Sequence, residues 1–381
     1  MLYYAQGSAL LTADEIFDPS VFDPLTDFFK GLGEGKTPGA LSLPNGDLTV
    51  DNVVRGFDAG LGAQLVPWKE IGVGKPLTVM IREVYTGKHP ENWFNRPEDM
   101  LVTSAIKSIT VLNAKPRALN FLKNKINKKS RMERPGATEE GTPIIFYSPA
   151  LLEKSLTLDL TMAFDSFDQN IFNQIGDAFT AAAGIPIFLS KSFYLIAGGM
   201  IIKMAAQIAE KIIDNTPEFN SSDPLDLQLP GKPPLPAGFV LVTSDDIDNM
   251  DSTFRSKHKV NELGTVVEIA SGKQYAGDVP YIVFSVDGAE QEELNSFTPT
   301  AVSATVLSNY FSMKDGASLS LEILINALKL YNDINYRKQI DQIDEQIKKL
   351  PAGDPKIAEL EKKKAALQKN ILEDLLKPKG N

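Results

Sequence analysis

Alternation of apolar and polar residues predicts that the middle of this chain is a succession of β-strands. In residues 155–164 every second side chain, from Leu156 to Phe164, is large and apolar, and most of the residues between them are polar. A period of two is typical of a strand with one buried face. Further strands are predicted at residues 77–85, 101–112, 144–147, 239–243, 265–270 and 281–286. Together these runs favour a mostly antiparallel β-sandwich.

Two segments between the predicted strands have sequence patterns that are not typical of strands. Residues 168–213 carry apolar residues at helical spacing, with a break at 184–186, and predict an apolar helical hairpin inserted between strands. Residues 214–238 contain six prolines, which disfavour a regular ladder and predict an extended connector on the surface.

The C-terminal segment has the strongest periodic signal. Apolar residues recur at intervals of three and four on both sides of the break at 351–355, where Asp354 and Pro355 form a typical helix start. They are Ile340, Ile343, Ile347, Leu350, Ile357, Leu360, Leu367 and Ile371. This pattern predicts two antiparallel helices, the first beginning near Leu319 and about 30 residues long. We expect these eight residues to form a partner interface, with a second copy or with another protein.

The predicted fold class is therefore α+β. We expect an irregular N-terminal cap with one hairpin in residues 1–76, a β-sandwich with its helical insertion in residues 77–312, and a C-terminal helical hairpin in residues 313–381. The general layout is similar to that of C2-like sandwiches, an analogy of architecture that transfers no residue.

Composition narrows the possible functions. Hydrophobic residues make up 43% and charged residues 23%, which is typical of a globular protein, and the net charge of −10 argues against a global nucleic-acid clamp. The chain contains no cysteine, which excludes thiolate chemistry and disulfides. Because residues 1–17 lack a basic region of the kind that export signals carry, we expect a cytoplasmic protein, with peripheral membrane attachment as an alternative.

One segment departs sharply from this acidic background. Residues 115–134 contain eight basic residues and one acidic residue, a net charge of +7. The basic residues are Lys115, Arg117, Lys123, Lys125, Lys128, Lys129, Arg131 and Arg134. Such contrast favours contact with an anionic surface, which could be a phospholipid, a nucleic acid or an acidic partner. The alternative is a basic loop that covers acidic surface of the same protein. Phe121 is the one aromatic residue within the segment, which weakens the nucleic-acid version.

Acidic residues form two runs that follow predicted strands. They are Asp165 and Asp168 in the first run and Asp245, Asp246, Asp248 and Asp251 in the second. Carboxylates on loops are typical calcium ligands, but the spacing of an EF-hand is absent and solvated loops explain both runs. We expect no cofactor, with calcium as the candidate if one binds.

Signals for catalysis are weak. Residues 35–37 read Gly-Lys-Thr, but the glycine of a phosphate-binding loop is missing at position 30. The two histidines, His89 and His258, lie in no recognised catalytic motif, and we expect both on the surface. The sequence thus favours a non-enzymatic binding or assembly protein. Two alternatives stay open: a membrane-associating or membrane-inserting effector that uses residues 115–134 and 178–206, and a hydrolase whose carboxylates have no readable spacing.

Overall fold

A computed structural model gives the fold of this chain. It describes residues 1–52, 56–58, 64–66, 68–91, 96–108, 117–133, 141–167, 169–170, 173, 175, 187–189, 194–197, 200–203, 217–230, 233–291, 294 and 321–378.

The described elements are mostly strands. They are β1 (Leu2–Gln6), β2 (Ala9–Thr12), β3 (Leu41–Leu43), β4 (Gly46–Leu48), β5 (Gly56–Asp58), β6 (Gln64–Val66), β7 (Leu77–Tyr85), β8 (Glu98–Ser108), β9 (Arg117–Ile126), β10 (Arg131–Glu133), β11 (Ile144–Ser148), β12 (Ser155–Asp165), β13 (Ile187–Leu189), β14 (Tyr194–Ala197), β15 (Met200–Lys203), β16 (Phe219–Asp226), β17 (Gly238–Val242), β18 (His258–Val260), β19 (Val266–Glu268) and β20 (Tyr281–Asp287). The helices are α1 (Ala13–Phe17), α2 (Pro19–Gly33), α3 (Ile247–Met250), α4 (Phe254–Lys257), α5 (Leu321–Lys348) and α6 (Pro355–Asn370), followed by a 3-10 turn at Asp374–Leu376.

Most strands belong to two seven-stranded antiparallel sheets. Sheet A has the spatial order β10, β7, β20, β17, β1 and β2, and its seventh strand, β11, pairs with the first half of β7. Sheet B has the order β15, β14, β13, β9, β8, β12 and β16. The predicted α+β class with mostly antiparallel strands is therefore confirmed.

Side chains from both sheets meet in one buried cluster. Val79 and Phe284 reach it from sheet A, Leu160 and Phe219 reach it from sheet B, and Leu25 of α2 packs beside them. Alternate residues of sheet A point the other way into a second buried cluster that includes Leu241. Sheet A is thus covered on both faces, which explains why its strands read as continuous apolar runs and not as alternating ones.

The N-terminal segment differs from the expected cap. The one hairpin predicted for this segment is present as β3 and β4, with Asn45 in the left-handed region at φ 61°. However, β1 pairs with β17 and lies inside sheet A. Leu2–Gln6 was missed because it is buried on both faces, so no alternation marks it as a strand.

The prediction of a helical hairpin at residues 168–213 was wrong for its middle part. Residues 187–203 contain β13, β14 and β15, which extend sheet B from β9. Ala197 pairs with Met200, so the two residues between them, Gly198 and Gly199, give the typical sequence signal of a tight hairpin. Residues 204–216 lie outside the described residues.

The proline-rich connector also contains a strand. β16 pairs with β12 along its length, and Pro224 lies opposite Thr157. A strand at the edge of a sheet tolerates proline because one side of its backbone needs no ladder partner, and β16 is such an edge strand. The helix that residues 299–311 favour by sequence lies outside the described residues.

The C-terminal helices are confirmed. α5 has 28 residues and begins at Leu321, two positions after the predicted start. Asp354 caps α6, since its carboxylate accepts a hydrogen bond from the Lys356 amide at 2.9 Å. No helix among the described residues has both the length and the apolar character needed to cross a bilayer.

Candidate functional site

Two connections cross between the sheets at the same end of the molecule. Residues 86–97 lead from β7 in sheet A to β8 in sheet B, and residues 127–130 lead from β9 back to β10. The Thr86 amide donates to the Ser130 carbonyl at 3.0 Å, and the Ser130 amide donates to Thr86 Oγ1 at 2.9 Å. The Lys129 amide also donates to the Gly87 carbonyl at 2.8 Å. These bonds fasten the two connections to each other.

A third connection, between β19 and β20, supports the first two. The Lys88 amide donates to the Asp278 carbonyl at 3.0 Å. Gly87 has φ 53°, and a Cβ at this position would lie 2.5 Å from the same carbonyl oxygen. The close approach of the backbones therefore requires glycine here.

Four lysines converge on this end, and we call them the lysine tip: Lys88, Lys125, Lys128 and Lys129. All four side chains are exposed. Lys125 and Lys129 have φ values of 55° and 58°, in the left-handed region that non-glycine residues rarely adopt. The Lys125 amide donates to the buried Asp99 carboxylate at 3.0 Å, which helps to hold that conformation. The tip thus carries four positive charges on two hydrogen-bonded connections and the end of β9.

Two acidic side chains partly neutralise the lysine tip. Lys88 Nζ lies 3.3 Å from Glu91, and Lys129 Nζ lies 3.0 Å from Asp278. Both pairs are exposed, so solvent and salt screen them. Within the described part of the chain, Lys125 and Lys128 form no ion pair.

The other predicted basic residues are not part of the lysine tip. Lys115 and Arg134 lie outside the described residues. Arg117 lies in β9, and Lys123 is half-buried in the same strand. Of the eight predicted basic residues, three thus belong to the lysine tip: Lys125, Lys128 and Lys129.

Arg131 is turned inward, and its expected place on an anionic surface was wrong. Its guanidinium forms an ion pair with Glu83, whose side chain is 0% exposed, and also donates to the Tyr281 hydroxyl at 2.8 Å. It stacks over the Tyr85 ring at 4.9 Å and donates to the Tyr275 carbonyl. Burial raises the pKa of Tyr281, so its hydroxyl stays protonated and donates to Glu83 at 2.5 Å. Arg131 therefore holds β10 onto sheet A.

The expectation for the histidines was also wrong. His89 is only 6% exposed and stacks on Phe164, with the ring centroids 5.8 Å apart. Burial lowers the pKa of His89, and the nearby cations Lys88 and Lys128 lower it further while Glu91 opposes them. His258 is half-buried, and its Nδ1 lies 3.0 Å from the Phe254 carbonyl oxygen. Both imidazoles are packing groups.

Carboxylates of the second acidic run cap turns and pair with arginine. Asp246 caps α3 through the Asp248 amide at 3.0 Å and accepts from the Tyr3 hydroxyl at 2.9 Å. Asp248 forms an ion pair with Arg255 at 3.0 Å. These contacts satisfy the side chains within the fold.

The remaining acidic candidates are dispersed. Asp251 accepts from the Thr253 amide at 3.0 Å, and Asp165 accepts from the Ser166 amide at 2.7 Å. Asp245 is exposed just before α3, and Asp168 lies outside the described residues. Among the residues that the structure describes, no three His, Asp or Glu side chains are grouped so as to hold a metal ion.

The heptad residues of the C-terminal hairpin face each other within the chain. Ile340, Ile343, Leu367 and Ile371 form one buried cluster, and Leu152 of the connection before β12 packs against it. Ile347 and Leu360 are partly buried beside them, as are Leu350 and Ile357. Their seam therefore closes α5 onto α6, and a partner would have to bind another face of the hairpin.

Lys364 occupies an apolar position of the heptad pattern. It forms an ion pair with Asp344 of α5, with Nζ and Oδ1 2.5 Å apart. The charge at this seam position is thus matched across the two helices.

Another face of the hairpin is available. Large apolar side chains are exposed at the end of the hairpin opposite to its turn: Leu330, Tyr331, Ile334, Leu372 and Leu375. The Leu372 and Glu373 amides both donate to the buried Asp333 carboxylate, at 3.2 and 2.8 Å, so the C-terminal segment lies back along α5. We call these five residues the apolar end.

Sequence reasoning missed Lys88 as a member of the lysine tip. It lies 37 positions before Lys125, and only the pairing of the two crossing connections brings it there.

No protein-family model, curated protein or solved structure matches this chain.

Proposed function

We propose that this chain is a non-enzymatic binding and assembly protein. The C-terminal helical hairpin binds a second copy of the chain or another protein, and the basic segment binds an anionic surface. The observation that carries the assembly part is the apolar end, since five of the eight large exposed apolar side chains of the described residues lie there. Clustered exposed apolar residues are typical of interaction sites.

The fold and location belong to the same proposal. Because one buried cluster contains side chains of sheets A and B, we propose that the sheets pack face to face as a β-sandwich with a C2-like general layout. A cytoplasmic location agrees with the cysteine-free composition and would expose the chain to the anionic inner leaflet.

The experiment tests association through the apolar end with a second copy as the partner. Tyr331 and Leu375 are 52% and 91% exposed, so Tyr331→Lys with Leu375→Lys changes the surface and leaves the seam intact. Light scattering after size exclusion should give a wild-type mass that rises above 41.7 kDa with concentration, and a variant mass that stays at that value.

Leu263→Lys is the matched control, because Leu263 is 58% exposed in the turn between β18 and β19. It should associate as the wild type does. A wild-type mass that stays at the monomer value up to high concentration would overturn self-association through the apolar end.

The basic segment gives the second candidate, attachment to an anionic surface. The observation that favours it is the lysine tip, where four exposed lysines lie on hydrogen-bonded turns. In a chain of net charge −10, such a concentration of positive charge directs one end of the molecule towards anions.

A further inference from the structure

We infer that the lysine tip is a docking site for the surface of an anionic phospholipid bilayer. This inference rests on the second part of the proposed function and names the kind of surface and the residues that meet it. The binding site that we infer consists of Lys88, Lys125, Lys128 and Lys129 instead of the whole basic segment. Arg131 is not part of this site.

The shape of the tip favours a flat partner. Asn127, Lys128 and Lys129 are all exposed at the end of the two sheets. Exposed charges can meet a plane of headgroups, whereas a protein that binds a free phosphate surrounds it with donors.

The side chains around the tip argue against a nucleic acid. Single strands bind on exposed aromatic rings that stack with the bases. Among the described residues, the Phe164 ring, which stacks on His89 beside the tip, is buried. Tyr85, Tyr275 and Tyr281, which lie around Arg131, are buried as well. Within the described part of the chain, the tip therefore offers charge without an exposed aromatic ring, which fits phospholipid headgroups.

The base of the tip is rigid, which favours binding. Hydrogen bonds join Thr86, Gly87, Lys129 and Ser130, and Arg131 anchors the next strand to buried Glu83. The four lysines therefore keep their places before contact, and little backbone entropy is lost on docking.

The charge balance of the tip can be shifted in both directions. Each lysine close to an anionic membrane contributes roughly a fivefold factor in affinity. Replacing all four with Gln should weaken binding several-hundred-fold. Asp278→Asn with Glu91→Gln removes the two neutralising carboxylates, so it should strengthen binding by roughly 25-fold.

A second variant separates charge from folding. Lys125→Gly with Lys129→Gly removes two charges at left-handed positions, where glycine is the residue that the backbone favours. This variant should fold at least as well as the wild type and bind roughly 25-fold more weakly.

The assay is sedimentation with vesicles of phosphatidylcholine, with and without 30% phosphatidylserine, at about 50 and 150 mM salt. We expect binding that needs the anionic lipid and weakens with salt. The matched control replaces four exposed lysines of α6 (Lys356, Lys362, Lys363 and Lys369) with Gln and so removes the same charge. Its binding should equal that of the wild type.

The outcomes separate the inference from the proposed function. The wild type could fail to bind the anionic vesicles but be retained on a heparin column through the same four lysines. That result would overturn the bilayer inference and leave the proposal that the tip binds another kind of anionic surface. If the wild type binds neither, both fail. Equal losses in the tip variant and the α6 control would show an effect of net charge and would also overturn the inference.

Discussion

Arg131→Met should destabilise this protein strongly although the sequence places Arg131 in a run of surface cations. The substitution keeps most of the apolar volume of the side chain but removes the guanidinium that faces Glu83. Because Glu83 is 0% exposed, its carboxylate would then be left charged and unpaired inside the sheet. The variant tests whether Arg131 acts in the fold or at the surface.

The size of the loss follows from these contacts. Removing one partner of a buried ion pair costs about 3–5 kcal/mol, since the other charge stays desolvated. Glu83 would keep its hydrogen bond from Tyr281 at 2.5 Å, while Oε2 of Glu83 already has no hydrogen-bond partner among the described residues. We therefore expect a loss of about 4 kcal/mol, a large share of the 5–15 kcal/mol that stabilises a typical protein.

Urea unfolding followed by circular dichroism measures this loss. The matched control is Lys129→Met, two positions earlier, whose exposed pair with Asp278 should contribute at most about 1 kcal/mol. Glu83→Gln with Arg131→Met removes both charges and should recover most of the lost stability.

A loss below about 1 kcal/mol for Arg131→Met would refute this reasoning. It would mean that Glu83 finds water or another cation when Arg131 is absent. Arg131 would then have to be counted again among the residues free to meet an anionic surface.

Two further predictions concern other parts of the fold. Ile343→Asp with Leu367→Asp places two carboxylates in the buried seam of the hairpin, so the helical signal at 222 nm should fall; an unchanged signal would show that α5 and α6 do not depend on this seam. Burial lowers the pKa of His89, so the unfolded chain takes up a proton at a higher pH than the folded chain does. The free energy of unfolding should therefore be highest above the usual histidine pKa of about 6.5 and fall as the pH drops below it. His89→Gln should reduce this fall between pH 7.5 and pH 5.5, and equal falls in both proteins would contradict the assignment.

Local pattern was enough to predict several of the strands. Residues 77–85 were placed correctly because a long apolar run marks them, and residues 155–164 because they alternate strictly. The hairpin of α5 and α6 was also predictable, since heptad spacing and the Asp354 cap are properties of neighbouring residues. These signals need no knowledge of distant contacts.

The remaining elements depend on pairing that local pattern does not carry. The sequence did not predict β9, because its lysines, such as Lys123 and Lys125, suggest a segment exposed to solvent. The first half of β9 is nevertheless buried. β16 was hidden by Pro224, which only its position at a sheet edge makes acceptable. The membership of the lysine tip follows from hydrogen bonds between two crossing connections, so charge counting along one segment could not give it.

The place of β1 in sheet A has a consequence for the order in which this protein can fold. Leu2 pairs with Val242, and the Ile247 amide donates to the Tyr3 hydroxyl across 244 positions of sequence. During synthesis β1 is therefore made long before β17 leaves the ribosome. Until then the apolar residues of β1 have no strand to pair with. Contacts so distant in sequence make folding slow and leave strand edges open to other chains. We expect nascent chains that stop before residue 238 to aggregate, since β17 and β20 are then missing from the middle of sheet A.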